Sequence, residues 1–233
     1  MQDRFTKDKL STRRATIADS PLLAKIAYEA SLPPMNQCFW DIILQNTGTD
    51  TLTFLTAMFQ AGASNFGDVG DFLILEAQGT PVAAAAGYKP SAENYSPLRL
   101  CHLDKLADKL GWSGEVTAVF RDRYLAFWGG DCQPAFLTPY APWIIEAVAV
   151  LPEARGRGFG KVLLQALLAQ GQAQHPQVGI MVINGNDRAR RLYESLGFRP
   201  YQTFHAAYFA NQFEFDFPGI TKLSLRFDAA GAA

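Results

Sequence analysis

Cysteine is scarce in this chain, and Cys38, Cys101 and Cys132 stand far apart. No two share a metal-binding or redox spacing, which excludes a disulfide framework and suits a reducing compartment. Histidine is equally sparse, and no cluster of potential ligands calls for a metal. An excess of one charge is also missing, since 21 basic residues face 22 acidic ones and the formal net charge is −1. Nothing global draws the chain toward nucleic acid or an anionic membrane, and neither is expected as a partner. No apolar run reaches the roughly 18–20 residues that span a bilayer. The first residues, Met1 to Lys9, are polar and lack a signal-peptide core, so a cytoplasmic location is expected. What is present is bulk for a core: 233 residues, 48% hydrophobic and 12% aromatic.

The most informative stretch is 148–160, where Val-Ala-Val-Leu-Pro leads into Glu153-Ala154-Arg155-Gly156-Arg157-Gly158-Phe159-Gly160. An apolar strand runs into a loop with three alternate glycines. A helix carrying Val162, Leu163, Leu164, Leu167 and Leu168 follows. Such a junction aims unpaired N–H groups and the positive end of a helix dipole at one place, a ready site for a phosphate. Glycine lets the backbone come close to the anion at positive φ. Two common phosphate signatures fail here. A P-loop needs a hydroxyl after its Gly-Lys, but Val162 follows Gly160-Lys161. A dinucleotide fingerprint needs Gly-x-Gly-x-x-Gly, and Gly160 falls one residue short.

A second segment narrows the choice: Asn184-Gly185-Asn186-Asp187-Arg188-Ala189-Arg190-Arg191-Leu192-Tyr193, ending in Gly197-Phe198. Together the two segments resemble the GNAT superfamily of acyl-CoA-dependent N-acyltransferases. Arg155, Gly158 and Gly160 match its Arg/Gln-x-x-Gly-x-Gly/Ala loop, preceded by Val150 and Pro152. Asn186, Ala189, Leu192, Tyr193, Gly197 and Phe198 match its Asn-x-x-Ala-x-x-Leu-Tyr-x-x-x-Gly-Phe segment. The resemblance covers roughly 143–205, with a weaker echo at Arg14–Leu23. The stretch 98–142 resembles no known segment.

Hydrophobic periodicity places the remaining elements. Residues 12–17 suit an edge strand. Asp19 or Ser20 with Pro21 opens a helix that Pro33-Pro34 stops. Two short helices follow at 36–46 and 50–61. A hairpin spans Phe72 to Tyr88. Within 98–142, an insertion, Val116, Val119, Phe120, Tyr124 and Phe127 share one helical face that Gly129 ends. Strands are expected at 143–151, 178–183, 201–209 and 220–227, with helices at 158–173 and 187–196. The fold class is therefore mixed α/β. Residues 1–233 are read as one GNAT-like domain with a helical insertion at about 98–142. The resemblance implies a central, mostly antiparallel sheet with splayed cofactor-binding strands flanked by helices.

The resemblance also implies roles. Acetyl-CoA is the expected cosubstrate, with no metal. Its pyrophosphate would sit on N–H groups from Arg155, Gly156, Arg157, Gly158, Phe159, Gly160 and Lys161. Arg157 and Lys161 either add charge near the phosphates or are plain surface cations, and Arg155 orders the loop. Val148, Ala149 and Val150 would pair with the pantetheine arm, as would Asn186 and, more weakly, Asn184. Tyr193 is the candidate proton donor to the departing thiolate; otherwise it is a core aromatic. Glu146, by period-two alternation, shares the face of Val148 and Val150. It serves as base or proton relay, as an ammonium site, or as one half of a structural ion pair. His102 and His175 read as surface residues. His205, in a late strand, is weighed for acceptor contact. Phe127, Trp128, Phe136, Tyr140 and Trp143 are core residues, with some of them walling the acceptor pocket.

The expected activity is direct acetyl transfer to a primary amine in a ternary complex, since no Cys or Ser nucleophile stands near the motifs. A non-catalytic acyl-CoA sensor or interaction module is the rival reading, and a nucleotide-dependent enzyme a second. The acceptor, a small molecule or peptide amine, is not chosen by the sequence. Oligomeric state, a homodimer included, is equally open.

Overall fold

A computed structural model describes residues 9–90, 96–129, 137–138 and 141–227. The tightest local signal is the hairpin: Gln78 and Gly79 take φ of 54° and 79°, the paired positive values of a two-residue turn that matches strand twist. The turn joins β2 (Phe72–Ala77) to β3 (Thr80–Tyr88). Strand β1 (Leu10–Arg14) pairs with β2 on the outside. It stops three residues short of the expected 17, because Asp19 gathers the chain there. Its carboxylate accepts the Thr16 N–H at 2.8 Å and grips Arg13 through two 2.8 Å bonds. Asp19 thus caps the turn before α1 (Ser20–Ser31) rather than α1 itself.

The next helices, α2 (Phe39–Ile43) and α3 (Thr51–Ala61), lie where the pattern put them. Among its described residues the 98–142 stretch holds two helices where one was read: α4 (Leu103–Leu110) and α5 (Gly114–Trp128). The face that α5 buries is Thr117, Phe120, Tyr124, Phe127 and Trp128, whereas Val119 is 37% exposed. Strand β4 (Trp143–Val150) follows, then α6 (Phe159–Gln172), β5 (Gln177–Ile183), α7 (Asp187–Ser195), β6 (Arg199–Phe204), α8 (Ala207–Phe213) and β7 (Ile220–Arg226). The expected strand to 209 ends at Phe204, because α8 buries Phe209 against Phe127, with ring centroids 4.7 Å apart. His205 therefore lies between β6 and α8, not in a strand.

The seven strands run in the order β1-β2-β3-β4-β5-β7-β6. Every neighbouring pair is antiparallel except β4 and β5, as α6 must carry the chain back between two parallel strands. Alanines 83–86 of β3 are small on both faces. Ala84 and Ala86 belong to the core under α1, α3 and α5, and Ala83 and Ala85 to the core under α6. Lys222 of β7 is buried and donates to the Thr138 carbonyl at 3.0 Å, fastening the end of the insertion to the sheet.

Trp143 marks the foot of β4. Its ring fills a slot between Gly87 of β3 and Gly171 of α6, where any Cβ would collide with it. The outer face of the ring stacks on His175, centroids 5.9 Å apart. Trp143 thus belongs to the α6 side and walls no acceptor pocket. Gly171→Ala is expected to cost about 1–3 kcal/mol of overpacking, read by urea denaturation. The cost should shrink in a Trp143→Leu background; an equal cost in both would show that the indole does not set the constraint.

Candidate active site

β4 and β5 pair only at Trp143–Val178, Ile144–Gly179 and Ile145–Ile180. Beyond that point they part. On its other edge β4 stays bonded to β3, with Ala149 opposite Ala84 and Val150 opposite Ala83. A β-bulge falls between: Ala86 faces Glu146, and the register then slips, with Ala147 at φ 52°. A bulge adds a residue and reverses the facing of everything beyond it. This corrects the expectation for Glu146. Directly opposed residues share a face, and Ala86 belongs to the α1/α3/α5 core. Glu146 therefore faces that side, while Val148 and Val150 pack on the α6 side.

The glycine loop follows. Gly156 and Gly158 take φ of 83° and 80°, and a Cβ on either would meet nothing within 4 Å. Backbone conformation, not crowding, selects glycine there. Gly160 differs: its Cβ would press on Leu192 of α7 at 3.3 Å. The Arg155 N–H bonds Pro152 O and the Lys161 N–H bonds Gly158 O, so both are engaged inside the turn. The N–H groups of Gly156, Gly158, Phe159 and Gly160 have no such backbone partner among the described residues, and they form the free cradle. Arg155 anchors the loop. Its Nε donates to Val150 O at 3.1 Å and its Nη2 meets Glu29 of α1 at 2.5 Å. Arg157 lays its guanidinium over the Phe159 ring, 4.7 Å from the centroid.

Asn186 opens α7, accepting the Ala189 N–H at 3.2 Å. Asn184 is engaged elsewhere. Its amide donates to Phe204 O and Pro218 O, both at 2.9 Å, and its carbonyl accepts from Thr221 at 2.8 Å. It ties the ends of β6 and β7 together and does not line the opening. Tyr193 lies on the inner face of α7 and is 5% exposed. Burial, reinforced by the Glu146 charge, pushes its phenol well above the usual range. It stays protonated at neutral pH.

These groups converge on one cavity of about 600 Å³. It is lined by Glu146, by Val148, Ala149 and Val150, by Arg155, Gly156 and Gly158 to Lys161, and by Asn186 and Tyr193. Of the residues expected at the site, only Arg157 and Asn184 stay out. Sequence reading missed Arg188, Ala189 and Leu192 on the first turns of α7, which also line it; their place between Asn186 and Tyr193 was the available signal. Of the aromatic group, Phe127 and Trp128 join the lining, and Phe136 and Tyr140 lie outside the described residues. Among the described residues, no helix is long and apolar enough to cross a membrane, and no cluster of three or more His, Cys, Asp or Glu could hold a metal.

A family model described as FR47-like protein matches residues 135–208, the span of β4, the glycine loop and α7. The solved N-acetyltransferase from Staphylococcus aureus Mu50 superposes with a TM-score of 0.58 at 17% identity, covering 92% of this chain and 100% of that one. The chain has the GNAT fold. The ribosomal-protein-S18-alanine N-acetyltransferase of Escherichia coli shares it, with a TM-score of 0.51 at 14% identity over 96% of this chain and 97% of that one. So does the ribosomal-protein-alanine N-acetyltransferase of Brucella melitensis, at 0.50 and 17% over 93% and 99%. No curated protein matches by sequence. The mostly antiparallel sheet with one parted parallel pair is the GNAT arrangement, and the chain is consistent with a member of that superfamily.

Proposed function

We propose that the chain is an N-acetyltransferase that moves the acetyl group of acetyl-CoA to a primary amine by direct transfer in a ternary complex. The observation that carries this reading is the convergence of three things on one cavity: the parted β4 edge, the free N–H cradle at the start of α6, and the Tyr193 phenol. The cradle suits a pyrophosphate at a helix N-terminus, with Lys161 and Arg188 as nearby cations. The edge of Val148, Ala149 and Val150 that β5 leaves suits the amides of a pantetheine arm, as an added strand would pair. The thioester then lies between Glu146 and Tyr193.

Glu146 first takes a proton from the bound ammonium, directly or through water; the neutral nitrogen then bonds to the acetyl carbon, and the second proton that it sheds on becoming an amide returns through water to the Tyr193 oxygen. The carbon–sulfur bond breaks, and Tyr193 donates its proton to the leaving thiolate. A raised phenol pKa serves this role, because the proton is present when the thiolate forms. Among the described residues no cysteine favours acyl-enzyme chemistry: Cys38 is buried with its thiol pushed up to about 12, and Cys132 lies outside the described residues. Neither Cys38 nor the exposed Cys101 lines the cavity.

Acetyl-CoA is expected to raise the melting temperature by binding only the folded state, adding about 2.7 kcal/mol at 100 times its dissociation constant. Gly158→Glu, which sets bulk and negative charge in the cradle, should abolish that shift; a full shift in the variant would sink the loop assignment.

Tyr193→Phe removes only the hydroxyl. Acetyl-CoA affinity should hold while kcat falls roughly 10–1,000-fold, measured by thiol release. Unchanged kcat, with chemistry rate-limiting, would reduce Tyr193 to packing.

Glu146→Gln should lower activity most at low pH, where few acceptor molecules are already neutral. Raising pH should partly restore it, because a deprotonated amine needs no relay. A loss that is the same at every pH would assign Glu146 to acceptor binding or structure instead.

A further inference from the structure

The upper end of the open β4 edge is filled by the chain itself. Leu151 donates its N–H to the Val82 carbonyl at 2.9 Å, on the β3 side. Bonded and non-bonded positions alternate along an antiparallel pair. The N–H and C=O of Val150, one residue earlier and opposite Ala83, therefore point toward the gap that β5 leaves. Arg155 meets that carbonyl, its Nε donating to Val150 O at 3.1 Å. The Arg155 Nη2 is taken by Glu29 at 2.5 Å. Glu29 sits in the last turn of α1, where the helix dipole disfavours a carboxylate. Helix stability does not account for an acid at that position. Glu29 and Arg155 line the same cavity as Gly156 and Gly158.

We infer that Glu29 is a positioning residue for the coenzyme, one that keeps the Arg155 guanidinium on the strand and off the pyrophosphate. This rests on the acetyl-CoA reading and adds a residue to its machinery. A guanidinium is a fork of donors that suits phosphate as well as carboxylate. Beside a cradle holding an anionic pyrophosphate, an unrestrained one turns to the phosphate oxygens. Val150 O would then lose its donor and stand open on the edge where the pantetheine amides pair. An arm N–H that bonds there, rather than farther down the edge, slides the arm along β4 and carries the thioester away from Tyr193. With Glu29 in place the carbonyl is filled before the coenzyme arrives, and the edge offers the arm one register. Lys161 and Arg188, in the same lining, are left to meet the phosphate charge.

ADP and dephospho-coenzyme A differ only by pantetheine, so titration calorimetry with the two isolates the arm. In Glu29→Gln, ADP should bind at least as tightly as in the parent. The advantage of dephospho-coenzyme A over ADP should shrink about fivefold, the measure of one hydrogen bond. Thiol release from acetyl-CoA should show kcat falling by a similar factor while KM for acetyl-CoA holds or drops. Glu29→Gln/Arg155→Gln separates positioning from structure. Glutamine Nε2 stands as many bonds from Cα as arginine Nε, so it reaches Val150 O with no charge to be drawn away. The double variant should therefore regain roughly threefold in the arm's advantage and in kcat over Glu29→Gln alone; a merely structural ion pair would leave it no better. The pair is partly exposed, 38% and 20%, so the variants should melt close to the parent. Were Glu29→Gln to melt early, Arg155→Gln read against the double variant gives the same comparison. With no guanidinium to restrain, removing the Glu29 charge should cost the arm nothing. An unchanged arm advantage in Glu29→Gln, or a double variant without recovery, would overturn the proposal. A parent that binds dephospho-coenzyme A no more tightly than ADP would refute the coenzyme reading itself, and the role of Glu29 with it.

Discussion

The parting of β4 and β5 beyond Ile145 and Ile180 is the constraint on which the site depends. Two parallel strands in one sheet ordinarily bond along their length, and unpaired backbone at the centre of a sheet is costly. Three features keep them apart. The bulge at Ala147 bends β4 away. Arg155 holds the strand's last carbonyl and reaches across to Glu29 of α1. Below the fork, Trp143 is wedged between two glycines and fixes the foot of β4 against β3 and α6. The cavity is what the fork leaves open, and the start of α6 sits at its rim because the loop from β4 must turn there.

Much of this was legible in the chain. The glycine pattern at 156–160 announced a strand turning into a helix, and residues 184–198 announced the helix that brings Asn186 and Tyr193 to the same cavity. Asp50 and Ser113 cap α3 and α5 through their side chains, and Gly62, Gly111 and Gly129 end helices in the left-handed region; such ends are local and can be read from composition. The facing of Glu146 was not local. Strict alternation places it with Val148, and only the mismatch between β3 and β4, resolved at Ala147, turns it to the other side. Nor did spacing reveal α8, since Phe209 is held helical by the rings it packs against. The engagement of the Asn184 side chain was not legible for a similar reason: its partners, Phe204, Pro218 and Thr221, are distant in sequence. α4 was the avoidable omission, for Leu103, Leu106 and Leu110 already recur at helical spacing.

The two faces of the sheet divide the labour. The α6 side is aliphatic and tightly filled around Leu163, Leu164 and Leu167, all fully buried. The α1/α3/α5 side carries most of the aromatic rings and encloses open space. Glu146 and Tyr193 approach the opening from different sides, one on β4 and one on α7. Their opposition gives each a distinct setting: the carboxylate half-buried in the cavity lining, the phenol sealed in a hydrophobic wall that keeps its proton in place.

The loop's arginines bear on how the site responds to ionic strength. Arg155 is paired with Glu29 before any anion arrives, and Arg157 rests on an aromatic face. Neither stands as a bare cation at the rim. The attraction offered by Gly156, Gly158, Phe159 and Gly160 is that of oriented amide dipoles at contact range, which mobile ions screen far less than they screen separated charges. Such a cradle selects a ligand by the shape of its oxyanion more than by its total charge. Lys161 and Arg188, which also line the cavity, are the charges that mobile ions screen, so any salt dependence falls to them rather than to the amides.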